Sequence, residues 1–296
     1  MTDAIAGPDT EGSGPALALA GATLQRGARV LWRDLTLSVR PGEFLAVLGP
    51  NGAGKTSLLN VILGMVPLTA GSVRVGGRPV RRGNGAVGYV PQHKGFDADL
   101  GARGRDLVTL GTVGDRYGRL FPGRAVRARV DAAIASVGAT DYARRPLGRL
   151  SGGEQQRLRI TQALISDPQV LLCDEPLLSL DLNHQHAVVG LIDQRRRTAG
   201  TAVVVVTHEI NPVLPFVDRV LYLVGGRWAV GTPDEILTSE RLSELYGTDV
   251  DVIRLRGRIL VVGGPDGPGT EVGGHDTLHP HSFPRPHGTG RDGAVR

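Results

Sequence analysis

Gly49-Pro50-Asn51-Gly52-Ala53-Gly54-Lys55-Thr56 decides how this chain folds. An apolar stretch, residues 43–48, precedes it, and an apolar-periodic stretch, residues 57–63, follows it. Strand, glycine-rich loop and helix, in that order, are the context that the P-loop pattern G-x-x-x-x-G-K-[ST] requires. Glycines let backbone N–H groups converge on a phosphate with no Cβ in the way. A helix that begins near Gly54 turns the positive end of its dipole toward the same point. Lys55 then reaches the β- and γ-phosphates of a nucleotide as a point charge, and Thr56 holds Mg²⁺ through its hydroxyl. Gly49, Pro50, Asn51, Gly52, Ala53, Gly54, Lys55, Thr56 and Ser57 are the expected contacts to the nucleotide.

Two further segments carry chemistry. Leu150-Ser151-Gly152-Gly153-Glu154-Gln155-Gln156-Arg157 precedes a helix-like stretch, residues 158–165. Just beyond it, Val170-Leu171-Leu172-Cys173-Asp174-Glu175-Pro176 reads as a short buried strand that ends in two carboxylates. Functional groups of open α/β sheets gather at the carboxyl ends of strands. Asp174 sits where an acid holds the Mg²⁺ of a bound nucleotide. Glu175 is placed to polarise an attacking water as general base.

Taken together, these segments resemble the ATP-binding subunit of ABC transporters over roughly residues 16–236. The remaining landmarks of that family follow in order. Tyr89-Val90-Pro91-Gln92 resembles the Q-loop, Ser179-Leu180-Asp181 the D-loop, and Thr207-His208-Glu209 the switch histidine loop after an all-apolar strand, residues 202–206. The resemblance implies an α/β fold: a P-loop NTPase of the ABC ATPase type, with a RecA-like α/β core, an antiparallel β part and a helical subdomain. It implies that Gln92 touches Mg²⁺ and senses the γ-phosphate, so that Thr56, Gln92 and Asp174 form the metal set. It also implies a head-to-tail dimer. Each ATP then lies between the P-loop of one subunit and the signature segment, residues 150–157, of the other. In that arrangement Ser151 and the N–H groups of Gly152 and Gly153 meet the partner's γ-phosphate, with Glu154 and Asp181 in the same nucleotide-facing set. Glu175 and His208 are the catalytic pair, with His208 on the γ-phosphate. ATP and Mg²⁺ are the implied cofactors. The family carries an aromatic residue that stacks on adenine where this chain reads Leu24-Gln25-Arg26-Gly27-Ala28-Arg29. Arg26 offers a planar guanidinium in its place.

Composition is that of a globular protein. The chain has 296 residues and 41% hydrophobic content, enough for a full core and more than one lobe. Cys173 is the single cysteine; it lies in an apolar strand and reads as a buried inert thiol. No apolar run approaches the roughly 18–20 residues that span a bilayer, and residues 1–14 carry no signal-type apolar core. The formal net charge of +5 is spread over many arginines and speaks to encounter and solubility, not to fold.

Organisation follows from punctuation and period. Residues 1–15 read as a disordered N-terminus, residues 16–262 as the ATPase domain, and residues 263–296 as a disordered tail rich in Gly, Pro, His and Thr. Within the domain, residues 16–91 read as strands around the P-loop helix, with turns at Arg40-Pro41-Gly42, Ala70-Gly71 and Val75-Gly76-Gly77. A helical subdomain spans about residues 93–165, with helical periods at residues 104–111 and 125–138. Residues 168–224 alternate strand, helix (183–197), strand, loop and strand; residues 235–246 read as one short helix and residues 250–262 as a hairpin.

The segments Val90 to Leu100, Asp174 to Asp181 and Thr207 to Val213 are similar to those of the ATPase subunits of zinc and manganese importers, although Leu177-Leu178 replaces the small residues usual there. Four of the eight histidines, His275, His279, His281 and His287, fall in the tail. Imidazole suits divalent transition metals, but these histidines lack a tight ligand spacing. The reading is an ATPase that drives import of a divalent metal, zinc or manganese. The implied partners are a membrane permease subunit, a second copy of the chain and, indirectly, an extracytoplasmic solute-binding protein, with no nucleic acid. The implied location is cytoplasmic, peripheral on the inner face of the cell membrane. Transport of another solute, or a soluble ABC ATPase acting on ribosomes or DNA, is the alternative; the latter class usually pairs two cassettes, whereas this chain has one P-loop and one signature.

Overall fold

The computed structural model describes residues 14–92, 95–97, 99–113 and 123–263. The segments expected to be disordered, residues 1–13 and 264–296 with the four tail histidines, lie outside the described residues.

The centre is a six-stranded sheet. Its strands are β3 (Phe44–Leu48), β6 (Val87–Val90), β7 (Val170–Asp174), β8 (Ala202–Val206), β9 (Arg219–Val224) and β10 (Arg227–Gly231), in the order β10-β9-β3-β8-β7-β6. All neighbours run parallel except the β9–β10 pair. β3, β7 and β8 are buried at every residue, as parallel strands covered on both faces must be. Side chains alternate across a strand, so one apolar run feeds two cores. Phe44, Ala46, Leu171, Cys173, Val203 and Val205 face one of them. Leu45, Val47, Val170, Leu172, Val204 and Val206 face the other. Burial pushes the Cys173 thiol well above its ordinary pKa, as expected of an inert core cysteine.

The second core is closed by an antiparallel sheet and by α1 (Lys55–Ile62). That sheet contains β1 (Leu17–Arg26), β2 (Arg29–Val39), β4 (Ala70–Val75) and β5 (Arg78–Pro79), in the order β2-β1-β4-β5. The first core is closed by α4 (Gly152–Leu164) and α5 (Leu182–Ala199). A third cluster joins α2 (Gly104–Val113), α3 (Arg124–Ser136) and the far face of α4. There Val130 and Ile134 of the 125–138 period are buried, with Val108, Leu147 and Leu158.

Several expectations are corrected. Ala70-Gly71 is not a turn; it opens β4, where Ala70 pairs with Thr23 across an irregularity in the β1 ladder. Residues 235–246 are not one helix but two, α6 (Pro233–Ile236) and α7 (Ser239–Tyr246). Thr232 and Thr238 each cap a helix start, and Leu237 between them leaves helical geometry at ψ 64°. The stretch read as helix from residue 158 begins six residues earlier, at Gly152 itself. β10 was not foreseen. The expected hairpin is β11 (Asp251–Leu255) with β12 (Arg258–Val262). It is tied to the loop after β8 by the Asn211 side chain, which donates to the Ile259 carbonyl at 3.0 Å and accepts from the Ile259 N–H at 2.8 Å. Among the described residues no helix is long and apolar enough to cross a membrane.

Candidate nucleotide site

The loop between β3 and α1 is held where only glycine fits. Gly49 has φ 138°, and a Cβ there would lie 2.0 Å from the Leu223 carbonyl oxygen of β9. The N-terminus of α1 is left open. Gly54 precedes it in the left-handed region at φ 98°, with no side chain capping the first turn and no acidic residue within it. Uncapped N–H groups with a favourable dipole form an anion site.

Lys55 is 8% exposed, and its Nζ donates to the carbonyls of Gly49 at 2.5 Å and Pro50 at 3.0 Å. Burial pulls its pKa down, while the charges of Glu175 and Asp174 work in the opposite direction. Asp174, at the end of β7, is 3% exposed. Burial raises its pKa; the side-chain hydrogen bond with Thr56 opposes that, the neighbouring Glu175 adds to it, and Lys55 again opposes it. Glu175 turns sharply out of the strand at φ 48°, a conformation rare for a residue with a side chain, and its N–H donates to the Val206 carbonyl at 2.9 Å. Its Oε2 lies 2.9 Å from His208 Nδ1 and accepts from the His208 N–H at 3.4 Å.

A cleft of about 350 Å³ brings Asn51, Gly52, Gly54, Lys55, Thr56 and Ser57 together with Gln92, Asp174 and Glu175. A larger cleft of about 730 Å³ lies elsewhere, among residues such as Pro41, Asp167, Gln169 and Thr201, and contains none of the expected site residues. The smaller cleft gathers convergent polar groups, with Lys55 and Asp174 shifted in pKa, which is what marks a functional pocket.

Ser151, Gly152, Gly153, Glu154 and Asp181 do not line this cleft. Ser151 is the N-cap of α4. Its Oγ accepts from the Glu154 N–H at 3.3 Å, and the Glu154 carboxylate accepts from the Ser151 N–H at 2.8 Å. The Ser151 hydroxyl proton is thereby left to donate outward, while Glu154 is engaged in capping. The S-x-x-E spacing carried that signal in the sequence, unread. Asp181 is the N-cap of α5. The His184 backbone N–H, then the His184 side chain, hold its carboxyl below the usual carboxylate range.

The sequence reading missed three neighbours of the site. Leu31 lines the cleft. Trp32 is fully buried, with its indole nitrogen 3.0 Å from where a Gly54 Cβ would stand. The Arg29 guanidinium, from the cross-strand neighbour of Arg26, lies beside the P-loop, 3.5 Å from where a Gly52 Cβ would stand. The β1–β2 ladder shifts register three times, so counting along the strand does not tell which arginine faces the loop.

His208 makes the site pH-sensitive. Its hydrogen bond with Glu175 raises its pKa against the opposing effect of burial. A raised folded-state pKa means that the pair's stabilisation is fully present below the ordinary histidine value and is lost as pH rises through the folded value. The difference in melting temperature between the nucleotide-free wild type and His208→Ala is therefore expected to be larger near pH 6 than near about pH 9. Melts across that range check this; a difference that grows with pH contradicts it.

Comparison with known proteins places this geometry. The profile described as ABC transporter matches residues 32–178. The chain is 38% identical over 221 residues to the zinc import ATP-binding protein ZnuC of Yersinia pseudotuberculosis, covering 75% of this chain and 81% of that protein. It is 33% identical over 219 residues to the manganese transport system ATP-binding protein MntB of Bacillus subtilis, covering 73% and 86% respectively. A solved ABC transporter in an inward-facing conformation, described as of the metal-chelate type, superposes with a TM-score of 0.71 at 26% identity, over 84% of this chain and 96% of that one.

Proposed function

The chain belongs to the ABC transporter ATP-binding family, and from that membership we propose that it hydrolyses ATP to power a membrane permease importing a divalent metal, zinc or manganese. The observation that carries the ATPase reading is the single cleft joining the P-loop to Gln92, Asp174 and Glu175. The metal reading is supported by relatives named for zinc import and manganese transport.

Each residue then has a task. The open N-terminus of α1 and Lys55 take the phosphates, and Lys55 exchanges its two loop carbonyls for phosphate oxygens. Gly49 to Ser57 shape and line the phosphate cradle. The hydroxyl of Thr56, the carboxylate of Asp174 and the amide oxygen of Gln92 are hard oxygen donors on one cleft, a set suited to Mg²⁺. When bound, Mg²⁺ supplies positive charge to the phosphate oxygens. Glu175 accepts the proton of the attacking water. His208 steadies that carboxylate through Nδ1 until the γ-phosphate offers it a second partner.

Ser151, Gly152, Gly153, Glu154 and Asp181 stand off the cleft of their own chain, and we assign them to the ATP held by a second copy. The solute-binding protein acts through the permease, and the chain sits at the inner membrane face. Residues 16–262 form the ATPase unit, with the helical subdomain at about residues 93–165 meeting the permease and the segments at either end outside it.

Uptake tests this. In cells whose own copy is replaced by the Lys55→Ala variant, uptake of radioactive zinc or manganese is expected to fall to the level of a deletion. Undiminished uptake of both metals overturns the metal assignment while leaving the ATPase chemistry to be measured on the purified protein.

A further inference from the structure

The two glycines that open α4 are packed face to face with the segment that opens α5. A Cβ on Gly152 would lie 3.8 Å from Leu180 Cδ2. A Cβ on Gly153 would lie 1.9 Å from His184 Cδ2, 2.6 Å from Cγ and 2.7 Å from Nε2. The imidazole thus occupies the volume that any side chain at Gly153 would need. Its other edge is held as firmly: Nδ1 lies 2.7 Å from Asp181 Oδ2, while the His184 N–H donates to Asp181 Oδ1 at 2.9 Å. The ring is wedged between the Asp181 carboxylate and the Gly153 backbone. Just upstream, Ser179 is bent into the left-handed region at φ 63°, so this turn has a specific shape to keep.

We propose that His184 is a positioning residue that locks Asp181 and the Gly152-Gly153 backbone into one unit, so that both segments meet the ATP of a second copy in fixed register. This rests on the composite-site reading given above. Donors that are already aimed stabilise developing charge without reorganising. A displacement near 1 Å away from the chemistry lowers rate about 10²-fold. The imidazole ring spans Asp181 and Gly153, touching the first through Nδ1 and standing over the second with its Cδ2 edge.

A double-substitution cycle on the full chain tests the proposal. Steady-state hydrolysis, fluorescent-ATP affinity of the monomer, and ATP-dependent dimer formation in a Glu175→Gln background are measured for Gly153→Ala, His184→Ala, the pair together, and His184→Asn. Gly153→Ala alone drives a methyl group into the ring, and kcat is expected to fall about 10²-fold with monomer affinity unchanged. In the His184→Ala background the same methyl enters vacated space, and its added cost is expected to shrink to less than about tenfold. Equal costs in both backgrounds overturn the coupling.

His184→Asn keeps an N–H donor at the position of Nδ1. It is expected to recover most of the roughly tenfold loss that His184→Ala causes by breaking the bond to Asp181. This second arm stands even if Gly153→Ala does not fold; no recovery in the Asn variant counts against the proposal. The composite-site reading fails differently, by a loss of monomer ATP affinity in Gly153→Ala with dimer formation unaffected.

Discussion

Glu175→Gln is expected to slow ATP hydrolysis by about 10² to 10⁴-fold while ATP still binds. The amide keeps the size of the side chain and an oxygen to accept from His208, so the contacts at 2.9 Å and 3.4 Å have a replacement. The left-handed backbone at φ 48° is no worse for glutamine than for glutamate, and the bond from the Glu175 N–H to Val206 is untouched. What is lost is the carboxylate proposed to accept the proton. With hydrolysis stalled, the composite-site proposal expects an ATP-bound dimer to accumulate, because in that proposal the intact γ-phosphate holds the two copies together. Single-turnover hydrolysis and size-exclusion chromatography with ATP check both halves. Near-normal turnover moves the base to another residue, and a dimer no more stable than wild type removes the composite site.

Lys55→Ala is expected to abolish tight ATP binding. Removing one partner of a largely desolvated charge pair costs about 2–5 kcal/mol, which is roughly 30-fold to several thousand-fold in affinity. The fold should tolerate the change. Lys55 is 8% exposed, and burial already lowers its pKa, so its charge is held at a cost in the nucleotide-free protein. The Gly49 and Pro50 carbonyls it leaves lie beside an open cleft, where water can replace it. The melting temperature without nucleotide should change little, and the upward shift that ATP gives the wild type should vanish. Retention of that shift in the variant contradicts the phosphate role of Lys55.

Much of this site was legible because its signals are local. The P-loop reading rests on residues adjacent in the chain: glycines at positive φ, then a lysine and a threonine in the first helical turn. The buried strand before Asp174 and Glu175, and the all-apolar strand before His208, read directly as runs covered on both faces. Where the reading failed, one cause was a local cap left unread and another was pairing with a distant strand. Thr238 caps a new helix inside the stretch 235–246 that was read as one. Ala70-Gly71 has the composition of a turn but is recruited by its pairing with β1.

The sequence by itself determined which residues are the candidates for the chemistry, because glycine, lysine and carboxylate act through properties that do not depend on distant neighbours. Only the tertiary structure decided which of them meet. The strand order β10-β9-β3-β8-β7-β6 sets β3, β7 and β8 side by side, bringing the P-loop, the acid pair and the His208 loop to one edge. Gln92 arrives from β6 at the same end. The placing of Arg29 beside the P-loop, and the wedging of His184 between Asp181 and Gly153, were decided there too. Sheet order, ladder irregularities and interhelical packing are contacts between segments far apart in the chain. Their energies come from burying surfaces against each other, and no single segment contains them.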